Sequence, residues 1–135
     1  MLRKLSLLII LIGFLGFTAA KAQTTTIDST RIDTIVVALN PVQFNDTYKK
    51  VQGQLVDVRT PQEYKKWHYA NAKCINYYDK DFPQQLALLD KTIPVFVYCS
   101  TGGRSFKSAG LLEQLGFKKV YYLKGFYTDL QDLTK

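Results

Sequence analysis

The run Cys99-Ser100-Thr101-Gly102-Gly103-Arg104-Ser105 places a thiol, two adjacent glycines and a fixed cation within one short segment. An apolar run, Ile93 to Tyr98, precedes it, and a helical pattern, Phe106 to Leu115, follows. The thiol therefore stands where a strand ends and a glycine-rich turn feeds a helix. Main-chain N–H groups converge at such a turn and favour negative charge. A cysteine there ionises below the ~8.5 of a free thiol, and the thiolate is the nucleophilic form. Gly102 and Gly103 permit positive φ angles and leave room for an incoming group. Ser105 is expected to cap the helix or donate to a bound anion. Arg104 acts on the sulfur in the same direction as the loop amides. The chemistry is that of an anion cradle beside a reactive sulfur. The plainer alternative, a buried cysteine before an ordinary turn, does not account for the glycines, the arginine and the helix start in this order.

The elements around this loop alternate. Ile35 to Leu39 reads as a strand. Asn40-Pro41 opens a helix to about Lys50, a capping side chain followed by proline at the first helical position. Gln54 to Val58 is the next strand, and Thr60-Pro61-Gln62-Glu63 is a capping box that starts a short helix ending near Trp67. Cys74 to Tyr77 reads as a strand, Asp81 to Leu89 as a helix, Pro94 to Tyr98 as the strand that delivers Cys99, and Ser105 to Leu115 as the helix that Gly116 stops. Lys119 to Leu123 is the last strand, and a short helix over Tyr127 to Leu133 follows. Strands alternating with helices imply a mostly parallel sheet covered on both faces, with right-handed crossovers. In such sheets ligands bind off the carboxyl ends of the strands, which is where Cys99 stands.

The first residues have the layout of a secretory leader: a basic Met1-Leu2-Arg3-Lys4, an apolar Leu5 to Phe17, and Ala20-Lys21-Ala22 before Gln23. The pattern predicts a signal peptide over 1–22 cleaved before Gln23, a polar linker over 23–33, and one domain over 34–135 in a periplasmic or secreted location. The alternative is an uncleaved anchor, although a spanning helix wants about 20 apolar residues and this run is shorter. After cleavage no stable membrane insertion is expected. Loss of residues 1–22 removes Arg3, Lys4 and Lys21 and no acid, taking the formal charge from +7 to +4. The remaining cations are scattered, which reads as a solvated surface in preference to a nucleic-acid footprint; no nucleic-acid partner is expected, and a mild field favours small anions.

Two cysteines in an exported chain raise the question of a disulfide. Cys99 ends its strand and Cys74 begins its own, so parallel strands rising about 3.3 Å per residue are expected to set the thiols toward opposite edges, well over ~10 Å apart. A bridge needs Cα atoms within about 7 Å, so Cys99 reads as a free reactive thiol and Cys74 as a partly buried bystander. Two cysteines and a single histidine are too few for a metal site, and no cofactor is implied.

From about Val51 to Leu130 the chain resembles a rhodanese domain. The pieces that carry the resemblance are Leu55-Val56-Asp57-Val58-Arg59-Thr60-Pro61-Gln62-Glu63-Tyr64, then His68 with Ala72, then Val97-Tyr98 and the Cys99–Ser105 loop, then Gly116-Phe117, Val120 to Leu123 and Gly125. The resemblance implies an α/β, rhodanese-like fold with a central, mostly parallel five-stranded sheet and helices on both faces. It implies that Cys99 cycles between thiolate and persulfide, carrying sulfane sulfur from a small anionic donor such as thiosulfate or polysulfide to a thiol or cyanide acceptor. Asp57, Arg59 and Glu63 read as a charged cluster near a strand end, in which Arg59 either faces the substrate mouth or braces the loop. His68 corresponds to a histidine that shapes the surroundings of the site and reads as structural. Trp67, Ala70 and Asn71 depart from the family pattern around His68, and the departure puts Trp67 near the site as a cover. Gly125-Phe126 stands in place of a usual glycine pair.

Two other functions stay open on the residues alone. One is a non-catalytic or redox-sensing module of the same fold that binds a partner protein. The other is a thiol phosphatase or arsenate reductase. Four residues separate Cys99 from Arg104, and the Cys–Arg loop of phosphatases is one residue longer, so the ring suits sulfur better than a tetrahedral oxyanion. Oligomeric state is not legible in the sequence.

Overall fold

Every residue of the strand Val95–Tyr98 is buried, because it lies at the heart of the sheet that the alternating pattern predicts. The computed structural model describes residues 35–135, so the leader and linker expectations fall outside the described residues. The order of elements is β1 (Ile35–Leu39), α1 (Pro41–Val51), β2 (Gln54–Asp57), α2 (Pro61–Lys66), β3 (Lys73–Cys74), α3 (Phe82–Ala87), β4 (Val95–Tyr98), α4 (Gly103–Gln114), β5 (Lys119–Leu123) and α5 (Tyr127–Asp132). The five strands form one sheet in the order β1-β5-β4-β2-β3, and every neighbouring pair is parallel.

Period-two alternation divides the sheet between two cores. Val56, Val95, Val97 and Val120 face one side, where Phe82 and Leu86 of α3 and Ala109 and Leu112 of α4 cover them. Leu55, Phe96, Tyr98, Tyr121 and Leu123 face the other side, beneath Phe44 of α1 and Leu130 of α5. That second core is aromatic: Phe44 meets the rings of Phe96 and Tyr98 edge-on, and Phe96 stacks on Tyr121 with centroids 4.5 Å apart. Burial of such side chains stabilises by roughly 1.5–3 kcal/mol each.

The caps follow the sequence. Asn40 and Thr60 each make a full capping box, with Gln43 and Glu63 as the reciprocal partners. Two boundaries differ from expectation. The helix after the cysteine begins at Gly103, with Gly102 as its N-cap at φ +94°, so Ser105 lies inside α4 and is not its cap. The strand expected over Cys74 to Tyr77 is only Lys73–Cys74, because Asn76 turns the chain: its side chain accepts from the Tyr78 N–H and donates to Asp79.

Cys74 therefore ends its strand instead of beginning it. Both cysteines are free, as expected, but for a different reason. Asp57 of β2 pairs with Cys74 on one side and Tyr98 on the other, so a whole strand intervenes between β3 and β4. Two inter-strand steps amount to about 10 Å. Cys99 also follows Tyr98 by one residue and joins the opposite core.

Candidate active site

The chain leaves β2 and β4 toward opposite faces, into α2 on one side and α4 on the other. Adjacent strands whose connections diverge leave a crevice at their carboxyl ends. The loop Cys99 to Gly102 occupies that crevice, and side chains from α2 and α4 meet across it.

Cys99 is buried, 1% exposed, at the foot of the loop. Its Sγ accepts from the Gly102 N–H at 3.2 Å and the Ser105 N–H at 3.4 Å, and the Ser105 hydroxyl lies 3.6 Å away. Burial pushes the thiol up. The N–H and hydroxyl of Ser105 and the N–H groups of Thr101 and Gly102 outweigh it, and the net shift is downward. The main chain and Ser105 carry this effect; Arg104, expected to act in the same direction, is not among its leading causes. The N–H groups of Gly103 and Arg104, in the first turn of α4, have no protein acceptor among the described residues. Such first-turn donors are the ones a helix cannot satisfy itself.

The alkylation rate of Cys99 by iodoacetamide should consequently rise with pH at a midpoint below the ~8.5 of free cysteine. A midpoint at or above that value contradicts the geometry. The linkage sign agrees. A depressed native pKa adds stability that is present above the unfolded pKa and is lost as pH falls through the native one.

Of the two glycines, only Gly102 uses a positive φ. A Cβ there would also come within 3.3 Å of the Gly125 nitrogen, so the two loops meet glycine to glycine. Gly103 has no positive φ, and a Cβ on it would meet nothing within 4 Å, which leaves the mouth open at that point.

Arg104 does close the loop, but its charge is spent within the protein. Nη1 donates to Glu63 Oε2 at 3.0 Å, and Nη2 donates to Glu63 Oε1 and to Ser100 Oγ, both at 2.8 Å. Ser100 Oγ donates in turn to Glu63 Oε1 at 2.6 Å. The Arg104 guanidinium, with Ser100 and Thr60, holds the Glu63 carboxyl far below the usual carboxylate range. Glu63 thus belongs to the site and not to a cluster with Asp57 and Arg59. Replacing Arg104 by alanine leaves the Glu63 carboxylate without its cation where it holds Ser100 of the loop. If Cys99 takes up sulfur from a donor, that uptake should slow in this variant by at least about tenfold while far-UV circular dichroism stays native. Unchanged kinetics would remove Arg104 from the machinery.

Arg59 does not face the mouth. It is 1% exposed, pairs with buried Asp57 through Nη2 at 2.7 Å, and donates to the Trp67 carbonyl oxygen. Its guanidinium lies 4.4 Å from the ring centre of Tyr127 and 5.5 Å from that of Tyr98. Tyr127 in turn donates its N–H to the Ser100 carbonyl oxygen, so this pair braces the loop from behind. Trp67 covers Arg59 and Tyr127 and does not line the mouth, contrary to expectation. His68 is exposed, stacked on Tyr64, with Nδ1 3.2 Å from the Tyr64 carbonyl oxygen; it does not touch the loop.

Above the loop opens a bowl of about 630 Å³. Its wall includes Glu63, Tyr77, Tyr78, Thr101, Arg104 and Lys107. The two tyrosines and Lys107 are functional candidates that sequence reasoning missed. The signals were present: Tyr77 and Tyr78 follow the carboxyl end of a strand, and Lys107 sits three residues after Arg104 on one helix face.

Comparisons with known proteins agree with this arrangement. The family model of the rhodanese-like domain matches residues 40–133. A tRNA uridine(34) hydroxylase of Pelagibacter ubique is 33% identical over 90 residues, covering 64% of this chain and 29% of that protein. An uncharacterised protein of Bacillus subtilis, YqhL, is 33% identical over 91 residues, covering 67% of this chain and 69% of its own length. The chain thus spans less than a third of the hydroxylase it matches. Among solved structures, a rhodanese-related protein from Thermoplasma volcanium superposes with a TM-score of 0.62 at 22% identity, covering 71% of this chain and 91% of its own. A rhodanese-like domain protein from Staphylococcus aureus gives 0.60 at 24%, covering 69% and 89%. The family match spans most of the described residues and includes the whole cysteine loop, and on that ground the chain belongs to the rhodanese-like domain family.

Proposed function

We propose that this domain is a sulfurtransferase that works through a persulfide on Cys99. The observation that carries the reading is the buried Sγ with main-chain donors aimed at it, at the carboxyl end of the central strand. The Cys99 thiolate attacks the outer sulfur of a donor such as thiosulfate. A new S–S bond forms, the donor's own S–S bond breaks, and sulfite leaves with that electron pair. The first-turn N–H groups of Gly103 and Arg104 are the donors nearest in the chain for the negative outer sulfur of the persulfide. A thiolate or cyanide then attacks that sulfur and restores the Cys99 thiolate. One displacement is thereby split into two, with no general base needed because the nucleophile is already ionised. Ser100, Glu63 and Arg104 hold the loop in shape during both steps.

The test is intact-mass measurement after incubation with thiosulfate or polysulfide. One added sulfur, about 32 Da, that cyanide removes is the expected result for a persulfide enzyme. No gain from either donor sinks the proposal and favours a partner-binding or redox-sensing module. Hydrolysis of an aryl phosphate would favour a phosphatase instead. The hydroxylation of tRNA is not part of this reading, since the chain matches only 29% of the hydroxylase. The leader-like segment over 1–22 supports a further proposal, that the domain acts outside the cytoplasm; N-terminal sequencing of the exported form, expected to begin at Gln23, tests it.

A further inference from the structure

Three ionised side chains line the bowl: Glu63, Arg104 and Lys107. Two of them cancel. Arg104 and Glu63 share two hydrogen bonds, and Arg104 gives a further bond to Ser100 and lies 5.6 Å from the ring centre of Tyr78. Little of that guanidinium remains for a visiting anion. Lys107 is different. It is exposed, and no carboxylate lies within 4.0 Å of it among the described residues. It stands one turn beyond Gly103 and Arg104 on α4, on the face that carries the loop. The first turn of that helix holds no acid to offset it. The other side chains named in the wall, Tyr77, Tyr78, Ser100 and Thr101, offer hydroxyls and no cation. The mouth therefore carries one uncompensated positive charge, and Lys107 supplies it.

We propose that Lys107 is the specificity-determining cation of this site. It draws small anionic sulfur compounds toward Cys99 and sets their advantage over uncharged reagents of the same size. The inference rests on the reading of Cys99 as the reacting atom and deepens it. Lys107 forms no bond in the reaction; it acts by field, and so mainly on capture. Its loss should raise KM for thiosulfate and leave kcat nearly unchanged, because it attracts the arriving donor more than it favours the displacement itself.

The experiment compares Cys99 alkylation by iodoacetate, which is anionic, with alkylation by iodoacetamide, which is neutral, followed by peptide mass. Lys107→Met should slow iodoacetate by about three- to tenfold at low salt and leave iodoacetamide unchanged. Lys107→Arg should restore the iodoacetate rate, and about 0.5 M salt should erase the difference in the parent protein. An unchanged ratio in Lys107→Met overturns the proposal. So does an equal fall with both reagents, which would mean that the thiol and not the mouth had changed. The readout does not depend on sulfur transfer. A charge-sensitive ratio with no sulfur gained from thiosulfate retains Lys107 as the anion selector and removes the persulfide reading alone.

Discussion

A Cys99→Ser protein should gain no sulfur from thiosulfate or polysulfide, a loss of at least about a thousandfold in transfer rate. The size follows from the chemistry. A serine hydroxyl is not ionised at neutral pH, and the surrounding N–H groups cannot lower it far enough to attack a sulfane sulfur. The fold should survive the change. Cys99 is fully packed, and serine differs from it by one atom that can still accept from the Gly102 and Ser105 N–H groups. Intact mass with and without donor reads the result directly, and a melting curve within a few degrees of the parent shows that the loss is chemical. Residual loading of the serine variant would point to Cys74. That thiol is a poor nucleophile, since burial first, and the nearby Asp57 carboxylate second, push it up.

Arg59→Ala carries the other large effect, and here the currency is stability. Arg59 and Asp57 are both buried, and Asp57 accepts from the Arg59 main-chain N–H as well as from Nε and Nη2. Removal of one partner leaves an uncompensated buried charge, which costs about 3–5 kcal/mol. That is a large share of the roughly 5–15 kcal/mol that holds a domain of this size together. The melting temperature should fall by more than about 10 °C. The paired change Asp57→Asn with Arg59→Met removes both charges and should recover much of the loss. A single variant within about 1 kcal/mol of the parent would show that the pair carries little of the stability assigned to it. Activity in Arg59→Ala should fall as well, because Tyr127 holds the Ser100 carbonyl oxygen while resting against the same guanidinium.

The parallel sheet and the cysteine loop were legible because their signals are local and redundant. A proline after a capping side chain announced α1 and α2, and the glycines, Arg104 and the apolar run before them marked the loop. What escaped was pairing between segments distant in the chain. Glu63 was readable as a capping-box residue, and it is one; nothing local shows that its carboxylate also reaches Arg104, 41 residues on. Arg59 read as a loop brace before a mouth residue, and the structure agrees; burial decides between the two, and burial is a property of the packed whole. The expected strand at Cys74 to Tyr77 was too long because the apolar pattern outweighed Asn76, whose side chain turns the chain. Lys107 shares a helix face with Arg104, but only the folded loop shows that this face lines the bowl.

The bond from the Tyr127 N–H to the Ser100 carbonyl oxygen has a consequence for the order of events during synthesis. Ribosomes deliver a polypeptide from its amino end, so the sulfur emerges long before the segment that secures its loop. Until residue 127 has cleared the exit tunnel, the anion mould lacks one of its supports. The loop around the sulfur has its full set of braces only when the last helix docks.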